Sequence, residues 1–407
     1  LYKKNGSPSL AKELFQNPTS EYRGAPFWSW NCKVNKEDID HTLEDLHTMG
    51  MGGAHIHCRT GMDLPYLGKE FMDMVHYSHE KSNSLDMITW LYDEDRWPSG
   101  AAGGLVTKNP DYRMRFLVFS PEELPEKEDV KSEYGGSSAQ PVSSGNRKFL
   151  AKYAVRLENG YLASYHLLAP DAKEPEGSDI WYLYREIAGN DPWYNNQAYV
   201  DTLNPKAIDR FIELTHEAYY RELGESFGDT VPAIFTDEPQ LCHKQTLGFA
   251  EEKKKVILPF TDDFPETYEN AYGCNFFESF PECIWELPEG AVSVNRYHYH
   301  DHICERFATA FADNIGGWCR NHNIALTGHM MEEPTLMSQT AALGEAMRSY
   351  RSFDLPGIDM LCDWRELTTA KQAQSAVHQF GYEGMLSELY GVTNWNFDFR
   401  GHKLAGD

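Results

Sequence analysis

The 407-residue chain carries 37 Lys and Arg against 62 Asp and Glu, a formal charge of −25. Such an acidic field repels phosphate and anionic lipid, which excludes a nucleic-acid binder or a membrane-surface protein held by general electrostatics, and no apolar run reaches the roughly 18 residues that span a bilayer. Apolar residues make up 41%, enough for a full core, and the length allows two or three domains or one large α/β barrel with insertions. The eight Cys form no C-x-x-C pair, which argues against a zinc ribbon or a small disulfide framework; with no apolar leader after Lys3 and Lys4, the expected location is the cytoplasm.

In chain order the segments read as strand followed by helix. Pro26–Asn31 is a short aromatic strand, and Asn35 caps a helix from about Lys36 with Ile39, Leu43, Leu46 and Met49 at helical spacing and Gly50 as its stop. Gly53–Cys58 is the second strand, a helix over about Lys69–Asn83 follows, and Met87–Tyr92 is the third strand. The alternation then breaks: Pro121–Gly145 reads as a polar loop, and Lys148–Leu168 shows period-two apolar residues around Asn159-Gly160, a strong hairpin signal. Asn204-Pro205 opens the next helix, Val231–Thr236 is the fourth strand, a long helix spans about Val294–His322, and Ile324–His329, Ile358–Leu361 and Gly384–Ser387 are the fifth to seventh. This pattern predicts an α/β protein with a TIM-type (β/α)8 barrel over 1–114 and 191–407, interrupted by a β-rich insertion over 115–190. An eighth strand would lie either in the tail Thr393–Phe399 or beyond Asp407, the latter being favoured.

Barrel enzymes carry their chemistry at the C-terminal ends of the strands. Here those ends hold Asn31, His57 and Arg59, Asp93 to Asp95, Asp237 and Glu238, His329 with Glu332 and Glu333, Asp363, and Glu388. Two carboxylates on separate strands suit glycoside hydrolysis, one protonating the glycosidic oxygen while the other attacks carbon or activates water. Glu238 and Glu388, almost opposite across a barrel mouth, are that pair, with Glu238 as acid, Glu388 as nucleophile or base and Glu333 in reserve for the second role. Pro239 is expected to hold Glu238 extended, and strand alternation leaves open which of Asp237 and Glu238 points inward. Trp28, Trp30, Trp97 and Trp395 could stack on sugar faces. Two rivals remain: a metal-dependent amidohydrolase using His55, His57 and His329, and a non-catalytic carbohydrate-binding barrel.

Pro26–Asn31, Met51–Gly61, Leu91–Gly100, Phe235–Pro239 and Leu386–Gly391 together resemble the catalytic barrel of bacterial glycoside hydrolases of family 106, the α-L-rhamnosidase-like group. The resemblance covers roughly Phe15–Asp407 apart from the insertion, and Tyr92-Asp93-Glu94-Asp95-Arg96-Trp97-Pro98-Ser99-Gly100 is its most specific run. It implies an O-glycosidase with a carbohydrate substrate, calcium, inversion at the anomeric carbon, and further β-sandwich domains of a longer parent chain packed against the barrel. A Glu pair on the fourth and seventh strands looks instead like the retaining barrel hydrolases, with no cofactor or catalytic metal, and the strand positions lean slightly to retention. Asp93, Asp95, His57, Arg59 and His329 would hold sugar hydroxyls, because carboxylates and planar donors match vicinal diols in pairs. Tyr390 would keep Glu388 charged through hydrogen bonds.

Overall fold

The computed structural model describes residues 9–130, 141–361 and 367–407. Twelve strands occur among them: β1 (Phe27–Trp30), β2 (Gly53–Cys58), β3 (Ile88–Tyr92), β4 (Arg115–Ser120), β5 (Ser143–Glu158), β6 (Tyr161–Leu168), β7 (Asp179–Ala188), β8 (Ala233–Asp237), β9 (Val256–Phe260), β10 (Ala325–His329), β11 (Leu355–Met360) and β12 (Leu386–Leu389). They form two sheets. Seven strands pair in parallel in the order β1-β2-β3-β8-β10-β11-β12, and the other five make an antiparallel sheet in the order β6-β5-β7-β4-β9.

The expected (β/α)8 barrel is therefore corrected to an open, curled parallel sheet beside a separate antiparallel one. Barrel closure needs a ladder joining the first and last strands at a consistent shear. Among the described residues β1 and β12 are instead the two edges, each only four residues long. The tail offered as an eighth strand forms turns and then a helix over Phe399–Gly406.

Local chemistry explains the parallel layer. Asn35 caps the helix Lys36–Thr48 by accepting from Asp38 N at 3.1 Å, a contact worth about 1 kcal/mol. That helix buries Ile39 and Leu43, while Lys69–Ser84 buries Phe71 and Val75. Asn204 and Pro205 open the helix Pro205–Leu214, whose Ala207, Ile208, Phe211 and Ile212 are buried. Two glycines let the central strands approach closely. A Cβ on Gly328, which sits at φ +124°, would lie 1.9 Å from Thr236 O, and one on Gly357 would lie 2.1 Å from Gly328 O.

The antiparallel sheet is entered and left between β3 and β8, which nevertheless pair directly, Leu91 against Ile234 and Tyr92 against Phe235. Its β5–β6 hairpin turns at Asn159 and Gly160, with φ of +52° and +83°, the left-handed pair that a two-residue turn requires. Its edge strand β9 comes from much later in the chain. Phe119, Trp181, Trp285 and Phe280 fill its core, Phe119 stacking on Trp181 at 4.9 Å.

Candidate active site

Period-two alternation places one residue set on the concave face of the parallel sheet. Ring contacts place Phe27, His57, Tyr92, Phe235 and His329 there: His57 stacks on Phe27 at 4.5 Å and meets Tyr92 edge-on at 4.2 Å, while Phe235 meets Phe27 at 5.1 Å and His329 at 5.3 Å. The alternate residues of β1 face the helices. Trp30 is buried against Phe71 and Trp28 packs edge-on to Trp30, so these two expected sugar platforms sit in the packing layer.

At the strand ends this face turns acidic around one imidazole. His329 Nε2 lies 3.1 Å from Asp237 Oδ1, 3.7 Å from Glu388 Oε2 and 4.0 Å from Asp359 Oδ2. Glu238 joins the cluster: donor atoms of Glu238, His329 and Asp359 fall within 4.8 Å of one another, as do those of Asp237, His329 and Glu388. Asp237 is the inward residue of its strand, its other oxygen accepting from Tyr92 OH at 2.5 Å. Glu238 follows the strand end at φ +44°, and its N–H donates to His329 O at 3.1 Å. The extended conformation expected ahead of Pro239 is thus corrected to a left-handed one, a strain of about 1–3 kcal/mol, and the carboxylate lies beside His329 and Asp359.

The charges follow from burial and crowding. Burial disfavours a charged His329, yet Asp237, Glu388 and Glu333 outweigh it and hold the imidazole well above its usual range. Burial likewise opposes a charged Asp237, but His329 and Tyr92 keep its carboxyl below the usual value. Burial and then Asp237 push Glu238 well up, with His329 pulling the other way. Burial raises Glu388 to about 8 and Glu333 to about 7, each against the pull of His329. Tyr390 does not hold Glu388 ionised, since its hydroxyl donates to His402 O at 3.0 Å.

The run after β3 is built around Glu94. This fully buried carboxylate accepts from the backbone N–H groups of Asp95, Gly100, Ala101, Ala102 and Gly103, an anion-holding nest of successive amides. Burial pushes its carboxyl up to about 7 against those bonds. Asp93 is also fully buried and accepts from Ser99 Oγ at 2.5 Å, and the same hydroxyl receives the N–H of Asp237 at 2.8 Å. The loop thereby fixes Asp237 from behind. Asp95 binds Arg96 and Asn195, and Trp97 packs on Trp193 at 5.9 Å.

Of the other expected residues, Arg59 is half-buried and its charge reaches Glu388 across the curl of the sheet. Asn31 and Trp395 are exposed, and Asp363 lies outside the described residues. The strand ends read from sequence leave out Asp359 and Tyr92, and mark Glu94 only as one acid of a charged run. A lone carboxylate in the apolar run Ile358-Asp359-Met360 was the available signal, overlooked because β11 begins three residues earlier than read and ends at Met360. Among the described residues no converging set of metal donors includes His55 or His57. His55 Nδ1 lies 3.2 Å from Ala25 O and the ring stacks on Trp90. Calcium, implied by the family resemblance, takes about six to eight oxygen ligands; each of the two converging donor sets offers two carboxylates and the His329 nitrogen, whose nearest partner is Asp237.

No family model matches the chain, and no curated protein does. Among solved structures it is similar to a rhamnosidase from Novosphingobium sp. PP1Y, with a TM-score of 0.62 at 14% identity, over 96% of this chain and 54% of that one. The chain thus spans about half the length of that enzyme and shares its fold.

Proposed function

We propose that this protein hydrolyses an O-glycosidic bond, with Glu238 as the general acid and Glu388 as the nucleophile or base. The observation that carries the reading is the convergence of Glu238 and Glu388, from the ends of β8 and β12, on one buried imidazole. A general acid must hold its proton near neutral pH, and burial beside Asp237 gives Glu238 that property. Glu388 has its partner cation at 3.7 Å, which favours its ionised form once a proton is shared out among the neighbouring carboxyls. Crowded carboxyls titrate as a group, so the acid and base limbs of a pH profile belong to the cluster.

The fold shared with a rhamnosidase supports the same reading and makes an α-L-rhamnoside the first substrate to test. Arg59, Asp95, Trp97 and Trp395 remain the candidates to hold sugar hydroxyls and faces. The test is turnover of a panel of 4-nitrophenyl glycosides by the full-length protein, alongside Glu238→Gln and Glu388→Gln. Hydrolysis of one glycoside, lost in both variants while their circular dichroism is unchanged, is the expected result. Near wild-type turnover in either variant removes that residue from the chemistry and moves the role to Glu333.

A further inference from the structure

The proposed acid and base are explained by their neighbours only if something fixes how many protons the cluster holds. Six titratable groups meet here from four elements: Asp237 and Glu238 at the end of β8, His329 ending β10 with Glu333 just beyond, Asp359 on β11 and Glu388 on β12. His57 on β2 and Arg59 beyond it act on Asp237 and Glu388 respectively. Among these groups His329 is the one common neighbour, within 4.0 Å of three carboxylates, and it is fully buried. Its closest partner is itself braced. Asp237 takes the Tyr92 hydroxyl at 2.5 Å, and its backbone N–H is held by Ser99 Oγ. A buried carboxylate so anchored cannot swing away from the ring.

We infer that His329 is a positioning residue, an imidazolium braced by Asp237 and Tyr92, whose charge favours the ionised form of Glu388 while Glu238 retains its proton. The inference rests on the glycosidase reading for its catalytic consequence, but not for its charge state. Coulomb attraction between groups 3.7 Å apart in a water-poor site is large compared with thermal energy, so removing the cation leaves Glu388 among like charges. Its ionised form, the one that can act as a base, then appears only at higher pH. In this arrangement the ring nitrogen facing the carboxylates lies 3.1 Å from Asp237 Oδ1, and its task is to set charge among the carboxylates, which departs from the role expected for His329 from sequence.

Two measurements test this. In ring-labelled protein, the His329 imidazole should remain protonated, by NMR, well above the range in which a free imidazole loses its proton, and Asp237→Asn should let it titrate at lower pH. A His329 ring that is neutral at pH 7 in the unsubstituted protein overturns the inference whether or not a substrate is known. With a hydrolysed glycoside in hand, His329→Gln should move the acid limb of kcat/KM upward by at least about one pH unit, with turnover at pH 6 falling about tenfold or more and partly recovering at higher pH. Tyr92→Phe should move the limb in the same direction by less. A uniform loss at every pH, with the limb unmoved, marks a merely structural role and overturns the inference. Absence of activity in the unsubstituted protein, with His329 still charged by NMR, would instead defeat the glycosidase reading alone.

Discussion

The two sheets bury polar groups in opposite ways. In the antiparallel sheet the buried charges are paired among the described residues: Arg147 donates to Glu186 at 2.8 Å and to Glu128 at 2.8 Å, and among those residues none of its strands contributes a buried side-chain atom lacking a hydrogen-bond partner. The concave face of the parallel sheet instead leaves both nitrogens of His57, Nε2 of His55 and Oε1 of Glu333 without one, all within the described residues. A satisfied interior contributes stability, whereas unsatisfied buried groups cost about 1–3 kcal/mol each. They are tolerated where a ligand completes them. On the proposed function, the contrast makes the antiparallel sheet a support and the parallel sheet the working surface.

The sharpest way to break that contrast is to mutate each side and read both activity and stability. Glu238→Gln and Glu388→Gln should each lower turnover by about a hundredfold or more, with the unfolding midpoint in urea little changed. Truncating Phe119 to Ala in the antiparallel core should do the reverse, costing about 3–5 kcal/mol by urea denaturation while the folded fraction keeps its specific activity. If Phe119→Ala abolishes activity in protein that is still folded, the division of labour is wrong.

A pH titration of stability probes the working face more gently. Burial holds His57 down at about 4, against a raising effect of Asp237, while the unfolded chain titrates near 6.5. The unfolded state therefore binds the proton first as pH falls. Stability should be fully present above about 6.5 and decline as pH drops toward 4, by up to about 3 kcal/mol from this residue, and His57→Phe should flatten that part of the curve. The smallest effect should come from Trp395, whose side chain is fully exposed. Trp395→Ala should change stability by less than about 0.5 kcal/mol and, where Trp395 serves as a sugar platform, raise KM with kcat unaltered.

Much of the site was legible in the sequence because strand ends are marked twice, by loss of apolar periodicity and by a polar residue. His329, Asp237, Glu238 and Glu388 were found in this way. Closure of the sheet was not legible, since it depends on whether two edge strands distant in sequence meet, and no local pattern encodes that pairing. Facing was equally hidden for β1. Phe27 and Trp28 are both aromatic, so alternation predicts two faces without naming which is concave. For Glu238 the local rule of the residue before proline lost to tertiary constraint, its N–H being held by His329 O. Glu94 looked like one acid among several in a charged run, and only the fold of Gly100–Gly103 around it shows a structural anchor.

The β3–β8 ladder bears on how the chain assembles. Leu91 and Ile234 are neighbours in the middle of the parallel sheet, yet β4 to β7 lie between them in sequence. Joining such distant segments from an unstructured chain is entropically unfavourable and slow. Folding of β4–β7 first would draw their flanking segments together and shorten the effective loop. Pulse-labelled hydrogen exchange during refolding should therefore protect amides of β5 and β7 before those of β3 and β8. By this order the support would also act as a template, and the working surface would be the last part of the molecule to exist.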